Sequence, residues 1–157
     1  MFREMRRFKQ SLPQSECEEI LLQEKRGVLS LIGDDGYPYG VPIDFLYEAS
    51  ERKIYFHSAR LGHKVDAMNR CEKVCFTVFE KGEQREDWSY YVRSVIAFGR
   101  VKEVVDEDRK FAKCKAFAMK YYPSEAEVDE EMRRDFARVA IFEIEVEHLS
   151  GKIVHEK

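Results

Sequence analysis

Ile54-Tyr-Phe-His-Ser-Ala-Arg-Leu-Gly-His-Lys-Val65 reads as a strand, a turn and the start of a helix. Ile54–His57 is a short apolar strand, with His57, Ser58 and Ala59 at its end. Gly62 sits in the turn, Lys64 falls in the first turn of the helix, and Leu61, Val65 and Met68 recur at helical spacing. A strand that passes directly into a short helix, in a chain whose other apolar runs are also short, points to a mixed α+β domain. The rest of the sequence fills in the pattern. Val28-Leu-Ser-Leu-Ile32 is a compact apolar run, and Gly33-Asp-Asp-Gly36 is a turn leading into Tyr37–Tyr47, which together make a hairpin. Its second arm carries Pro38 and Pro42, which cannot donate to a ladder, so this strand is expected at a sheet edge where a ligand can face its backbone.

Further along, Val74–Phe79 is a nearly continuous apolar run, Glu80–Asp87 a polar loop, and Ser89–Val101 a long strand with Gly99 as a bulge site. Residues 15–25 predict a short helix opened by a Ser15/Glu18 capping box, with Cys17, Ile20 and Leu21 on its apolar face. Asp106–Tyr122 predicts a helix ending at Pro123, and Glu125–Arg134 fits either a short solvated helix or a loop. Phe142, Ile144 and Val146 alternate with Glu143, Glu145 and Glu147, as in a strand with one buried and one wet face. The expected fold is α+β and mainly antiparallel, a barrel-like sheet with flanking helices in a single domain over 1–157.

Composition narrows the partners. Lys+Arg number 27 and Asp+Glu 30, a net charge of −3, which gives no whole-chain field for nucleic-acid binding. The N-terminal residues 1–9 are charged and no apolar stretch follows them, so neither a signal peptide nor a membrane span is expected, and the protein is expected in the cytoplasm. Cys71 and Cys75 have three residues between them and no second pair to match, so free thiols are expected and no metal site.

Two segments carry chemistry. At the helix start after Gly62, free backbone N–H groups, the Ser58 hydroxyl and the Lys64 charge would together seat a phosphate. The same residues also fit a solvated lysine and a histidine packed on the barrel rim. Trp88, Tyr90, Tyr91 and Arg93 lie within six residues, suited to stacking a planar ring or clasping an anion, or to ordinary cross-strand packing. Nucleophile elbows, zinc-protease, Walker and dinucleotide motifs are absent, so any redox chemistry would belong to a bound cofactor.

Gly40-Val-Pro-Ile-Asp-Phe45, Ile54-Tyr-Phe-His-Ser-Ala59 with Gly62-His-Lys64, Val74-Cys-Phe76 and Tyr91-Val-Arg-Ser-Val-Ile-Ala-Phe-Gly-Arg100, in this order, resemble the nitroimidazole-resistance-protein-like branch of the pyridoxamine 5′-phosphate oxidase-like, FMN-binding split-barrel superfamily. The resemblance covers residues 4–152 and implies a six-stranded split β-barrel, a homodimer, and FMN held at the subunit interface. It implies Val41, Pro42 and Ile43 along the ring, His57, Ser58 and Ala59 near the ribityl chain and phosphate, and Lys64, after Gly62, at the phosphate. Arg93, Ser94 and Val95 would complete the groove. Trp88, Tyr90 and Tyr91 would meet a small-molecule substrate from across the interface, with His57 as proton donor. His63 stands where many relatives carry Arg, which would weaken phosphate binding unless Arg60 compensates. The Arg-Leu-x-Pro ending of true pyridoxamine phosphate oxidases is missing, so an FMN-dependent oxidoreductase acting on another small planar substrate is the leading expectation, with nitroaromatics the class that the family name suggests. A non-catalytic flavin- or haem-binding or redox-sensing barrel is the alternative.

Overall fold

In β2 (Arg26–Ile32), Leu29 and Leu31 are buried while Val28, Ser30 and Ile32 turn outward, a period of two that lays one face of the strand on a core. The same alternation builds the rest of the computed structural model, which describes residues 1–156. In chain order the elements are β1 (Ser11–Leu12), α1 (Gln14–Gln23), β2, β3 (Pro38–Asp44), β4 (Leu46–Glu48), β5 (Lys53–Ala59) and α2 (His63–Arg70). Then come β6 (Lys73–Phe79), β7 (Glu83–Gln84), β8 (Tyr90–Glu103), α3 (Glu107–Tyr121), α4 (Glu125–Asp135) and β9 (Val139–Glu156). One antiparallel sheet runs β3-β2-β6-β8-β9-β5-β4, with β1 beside β9 and β7 beside β8. The sheet curls until β3 approaches β5 without pairing to it, which leaves the barrel split. Cys17, Ile20 and Leu21 of α1 complete a core that includes Leu29, Phe45, Phe56, Phe76, Val95 and Phe142. No helix among the described residues is long and apolar enough to cross a membrane.

The α+β split barrel is as expected, but the described residues form nine strands rather than six. β1 and β7 are two-residue additions, the latter inside the expected Glu80–Asp87 loop. β4 is separate because the arm expected over Tyr37–Tyr47 breaks at Phe45. There the Phe45 N–H donates to the Tyr121 hydroxyl (2.8 Å), and its carbonyl accepts from Lys120 Nζ (3.0 Å). The last turn of α3 thus takes the peptide groups that would have continued the ladder. The proline arm is the sheet edge, as expected, and the register of β8 on β9 shifts between Phe98 and Gly99. A Cβ on Gly99 would collide with the Glu145 carbonyl oxygen.

Two local expectations give way. α1 starts after Pro13 with no side-chain cap, so Ser15 lies inside the helix, and Glu18 accepts from the Tyr47 hydroxyl (3.4 Å) instead of closing a capping box. Of the two alternatives expected for residues 125–134, the helix is the one observed, over Glu125–Asp135, with Ser124 accepting from the Glu127 N–H and Val128 and Met132 buried. The far face of β9 is wet at Glu145 and Glu147 but not at Glu143, which is fully buried because α3 covers it. Its carboxylate bonds Arg109, lies 3.0 Å from Lys53 Nζ and 3.3 Å from Lys102 Nζ. Burial alone would raise its pKa, but the hydrogen bonds from Arg109 and Lys53 outweigh that and pull it down to about 2.

A folded-state pKa below the unfolded value means that Glu143 stabilises the fold above the usual carboxylate range and loses this contribution as pH falls toward 2. Glu143→Gln is expected to cost about 1–3 kcal/mol at neutral pH, the scale of hydrogen bonds to charged groups. Urea unfolding from pH 7 to pH 2 checks this: the wild-type advantage should shrink steadily below about pH 4.5.

Candidate functional site

Along β5 the alternation sends Ile54, Phe56 and Ser58 to the barrel side and Tyr55, His57 and Ala59 to the side of α3. Ser58 is 6% exposed, and its hydroxyl has no hydrogen-bond partner among the described residues. Four residues later Gly62 caps α2 with φ 124° and ψ 169°, a region essentially reserved for glycine, and no side chain caps the helix. The first-turn N–H groups of α2 therefore need an outside acceptor. Lys64 projects back over the Phe56 ring, its Nζ 5.9 Å from the centroid, with no carboxylate partner among the described residues. Burial pushes its pKa down. A nearly buried hydroxyl, a helix N-terminus and an unpaired ammonium form a donor set for an anion, and a phosphate fits it.

This seat adjoins the β3 edge. His63, the first residue of α2, stacks on Tyr39 of β3 with ring centroids 4.2 Å apart, and its Nε2 lies 3.6 Å from Asp34. Asp34 also takes Arg70 at 2.7 Å, so His63 is turned toward the β2–β3 connection. From Tyr39, Val41 and Ile43 continue along the inner face of β3, while Pro42 turns outward with Gly40. His57 leans edge-on against Phe117 of α3 at 5.0 Å. Burial, then the charge of Lys64, depress its pKa against an opposing Asp44, which keeps the imidazole neutral at pH 7. His57 and Ser58 therefore serve opposite faces of one strand, a split that the period of two alone would have exposed.

The other expected residues stand elsewhere. Arg93 pairs across the sheet with Ile153 of β9, whereas His57 pairs with Ile141. Twelve residues of strand separate the two, about 40 Å of contour. Arg93 is held by Glu80, with Nε 3.0 and 3.1 Å from its two oxygens, and by Glu16 (3.4 Å) and Glu19 (3.7 Å). It joins no cationic seat with Lys64 in the same chain. Val95 is core, and Ser94 lines a groove of about 440 Å³ with Ile96 and Lys152 under the N-terminal residues 3–5. Tyr91 is sandwiched by His155 (4.3 Å) and Arg85 (3.9 Å), Tyr90 donates to the Lys81 carbonyl, and Trp88 projects 81% exposed. Sequence reasoning missed Lys120 and Tyr121, which end β3 beside Ile43. Burial lowers the Lys120 pKa to about 8, and nothing in its local sequence marks it.

The family model described as pyridoxamine 5′-phosphate oxidase matches residues 13–153. The chain belongs to this family. A search of curated proteins found no significant match. Among solved structures, a Bacteroides thetaiotaomicron protein provisionally described as a 5-nitroimidazole antibiotic resistance protein is 23% identical, with a TM-score of 0.76 over 92% of this chain and 87% of that one. The flavocytochrome Anf3 from Azotobacter vinelandii is 20% identical, with a TM-score of 0.77 over 97% and 72% of the two chains. The FAD and heme binding protein from Mycobacterium smegmatis is 18% identical, with a TM-score of 0.74 over 92% and 72%. At these identities the likeness establishes the family's split-barrel fold for this chain.

The backbone at Gly62 gives a direct check on the seat. Gly62→Ala is expected to cost about 1–3 kcal/mol in chemical unfolding, even though open space surrounds the position, because φ 124° with ψ 169° strains any residue with a Cβ.

Proposed function

We propose that this chain is an FMN-dependent oxidoreductase that works as a homodimer on a small planar substrate. The observation that carries the reading is the anion seat of Ser58, Lys64 and the α2 N-terminus, set against the open edge of β3 through the Tyr39–His63 stack. Lys64 and Ser58 hold the phosphate, and the flavin ring extends along Val41 and Ile43, where Pro42 leaves no N–H to compete. Once bound, the flavin supplies electron and hydride transfer. The neutral His57 holds a proton at a ring nitrogen for exchange with substrate. The relatives described as a flavocytochrome and as a FAD and heme binding protein support a flavin.

Support for the dimer comes from the outer sheet face. Two successive rungs across β3, β2, β6 and β8, Gly40-Ser30-Cys75-Phe98 and Pro42-Val28-Thr77-Ile96, carry no charged side chain. Ile32, Phe79, Ile96 and Phe98 are exposed beside or within them, with Phe2 stacked on Phe98 at one corner. A second copy packed there would cover this surface and bring Ser94 and Trp88, which one chain holds away from its own seat, to the partner's flavin.

Protein purified without added cofactor is expected to be yellow and to release FMN on denaturation. The double variant Ser58→Ala/Lys64→Met should bind FMN at least tenfold more weakly, roughly the loss of one charge-assisted hydrogen bond. Sedimentation should give a dimer, and Phe98→Glu a monomer. Reduction by NADH or NADPH followed by reoxidation with a nitroaromatic establishes turnover. A protein that neither FMN nor FAD reconstitutes would sink the proposal, and flavin that binds without cycling would make it a binding protein.

A further inference from the structure

α3 and α4 meet in a small cluster of their own. Pro123 follows α3, the chain turns back, and only Ala118, Val128 and Met132 are buried between the helices, with Cys114 and Phe136 packed at the edge. The cluster is separate from the barrel core, and Phe117, one residue before Ala118, turns instead to His57 and Tyr121. What remains between the two helices, the start of β9 at Val139 and the outward face of β5 is a cavity of about 110 Å³. It lies on the His57 side of β5, with the anion seat on the other.

The walls are apolar, with Phe117, Ala118, Met132, Phe136 and Val139 facing the space. Two carboxylates stand at the rim, and both are neutralised: Glu131 pairs with Arg134, and Asp135 with Arg134 (2.8 Å) and Arg138 (3.8 Å). The Cys114 thiol is kept protonated by burial, which raises its pKa. His57 closes the remaining side, and its ring nitrogens have no hydrogen-bond partner among the described residues. Tyr122 also lines the space, but its hydroxyl bonds Glu131 and both carboxylates pair with arginines, so only the His57 imidazole and the weakly polar Cys114 thiol are left to meet the two to four partners an ordered water needs, and the cavity is poorly suited to water. A charged guest would find no free counter-charge. A cavity near this size with apolar walls holds one aromatic ring, as an engineered cavity of about 150 Å³ holds benzene, and a single polar group in an apolar pocket sets orientation and selectivity.

We propose that this cavity is a binding site for a small neutral aromatic molecule of one ring with one hydrogen-bonding substituent, phenol being the simplest. The ring lies between α3 and α4 and the substituent meets the His57 imidazole. α4 is the wall that yields on entry, because it buries only Val128 and Met132. None of its walls belongs to the anion seat, and it shares only His57 with the proposed function, so binding at this site is read without the flavin.

Titration of the purified chain with phenol and with benzene, followed by ligand-observed NMR, tests it. Both should bind, phenol about tenfold more tightly, the worth of one net hydrogen bond. His57→Phe should erase the preference for phenol and keep benzene binding. Ala118→Leu, which fills the space, should abolish both while the melting temperature holds or rises. Should that variant not fold, Cys114→Phe blocks the same space from the rim. In the wild type, phenol should slow alkylation of Cys114 by a maleimide, mapped by mass spectrometry, without slowing that of Cys71. The proposal is overturned if neither compound binds up to about 10 mM, if binding survives the filled cavity, or if His57→Phe leaves the preference for phenol intact.

Discussion

A fully buried carboxylate with three cationic neighbours holds α3 on the sheet, and most of the functional geometry depends on that attachment. Glu143 alone would be expensive to bury; Arg109 from α3, Lys53 from β5 and Lys102 from β8 together make it a junction of one helix and three strands. Once α3 is seated, its last turn delivers Lys120 and Tyr121 to the Phe45 peptide, which ends β3. Its middle delivers Phe117 to His57. The helix therefore sets both the end of the β3 edge and the environment of the histidine, although neither lies near it in sequence.

What could be read in the sequence follows how far apart the interacting residues are. The strands around Leu29, Phe76 and Val95 carry their own period of two. The edge position of β3 is written in Pro38 and Pro42, the bulge in Gly99, and the anion seat in Ser58, Gly62 and Lys64, all within seven residues. The break at Phe45, the burial of Glu143 and the engagement of Arg93 by Glu16, Glu19 and Glu80 each need a partner from another part of the chain. No local pattern announces such a partner. Ser15 failed as a cap for the opposite reason, because its motif was complete locally but the helix starts two residues early, with Pro13 at the cap position.

The small net charge of −3 conceals an uneven arrangement of ions. Arg93 meets three carboxylates, Arg100 meets Glu72 and Glu147, and Lys113 meets Glu48 and Glu51. Lys64 meets none among the described residues and is half-buried. An ammonium left unpaired in a partly desolvated position is unfavourable for the fold alone, and pairing with an anion relieves that cost. The local imbalance, more than the overall charge, makes the start of α2 a place for an anion.

β9 binds the molecule together in time as well as in space. It pairs with β8 along nearly its whole length, with β5 at one end and with β1 at the other, so Ser11 finds Lys152 only after all the residues between them have been made. As the polypeptide leaves the ribosome, the free margins of β5 and β8 stay open until residues 139–156 emerge, and β1 waits for β9. Closure of this sheet therefore relies on contacts distant in sequence, the slow class of folding step. In that interval the nascent chain exposes unpaired strand margins beside apolar surface, which is when it is most open to association with the wrong neighbour.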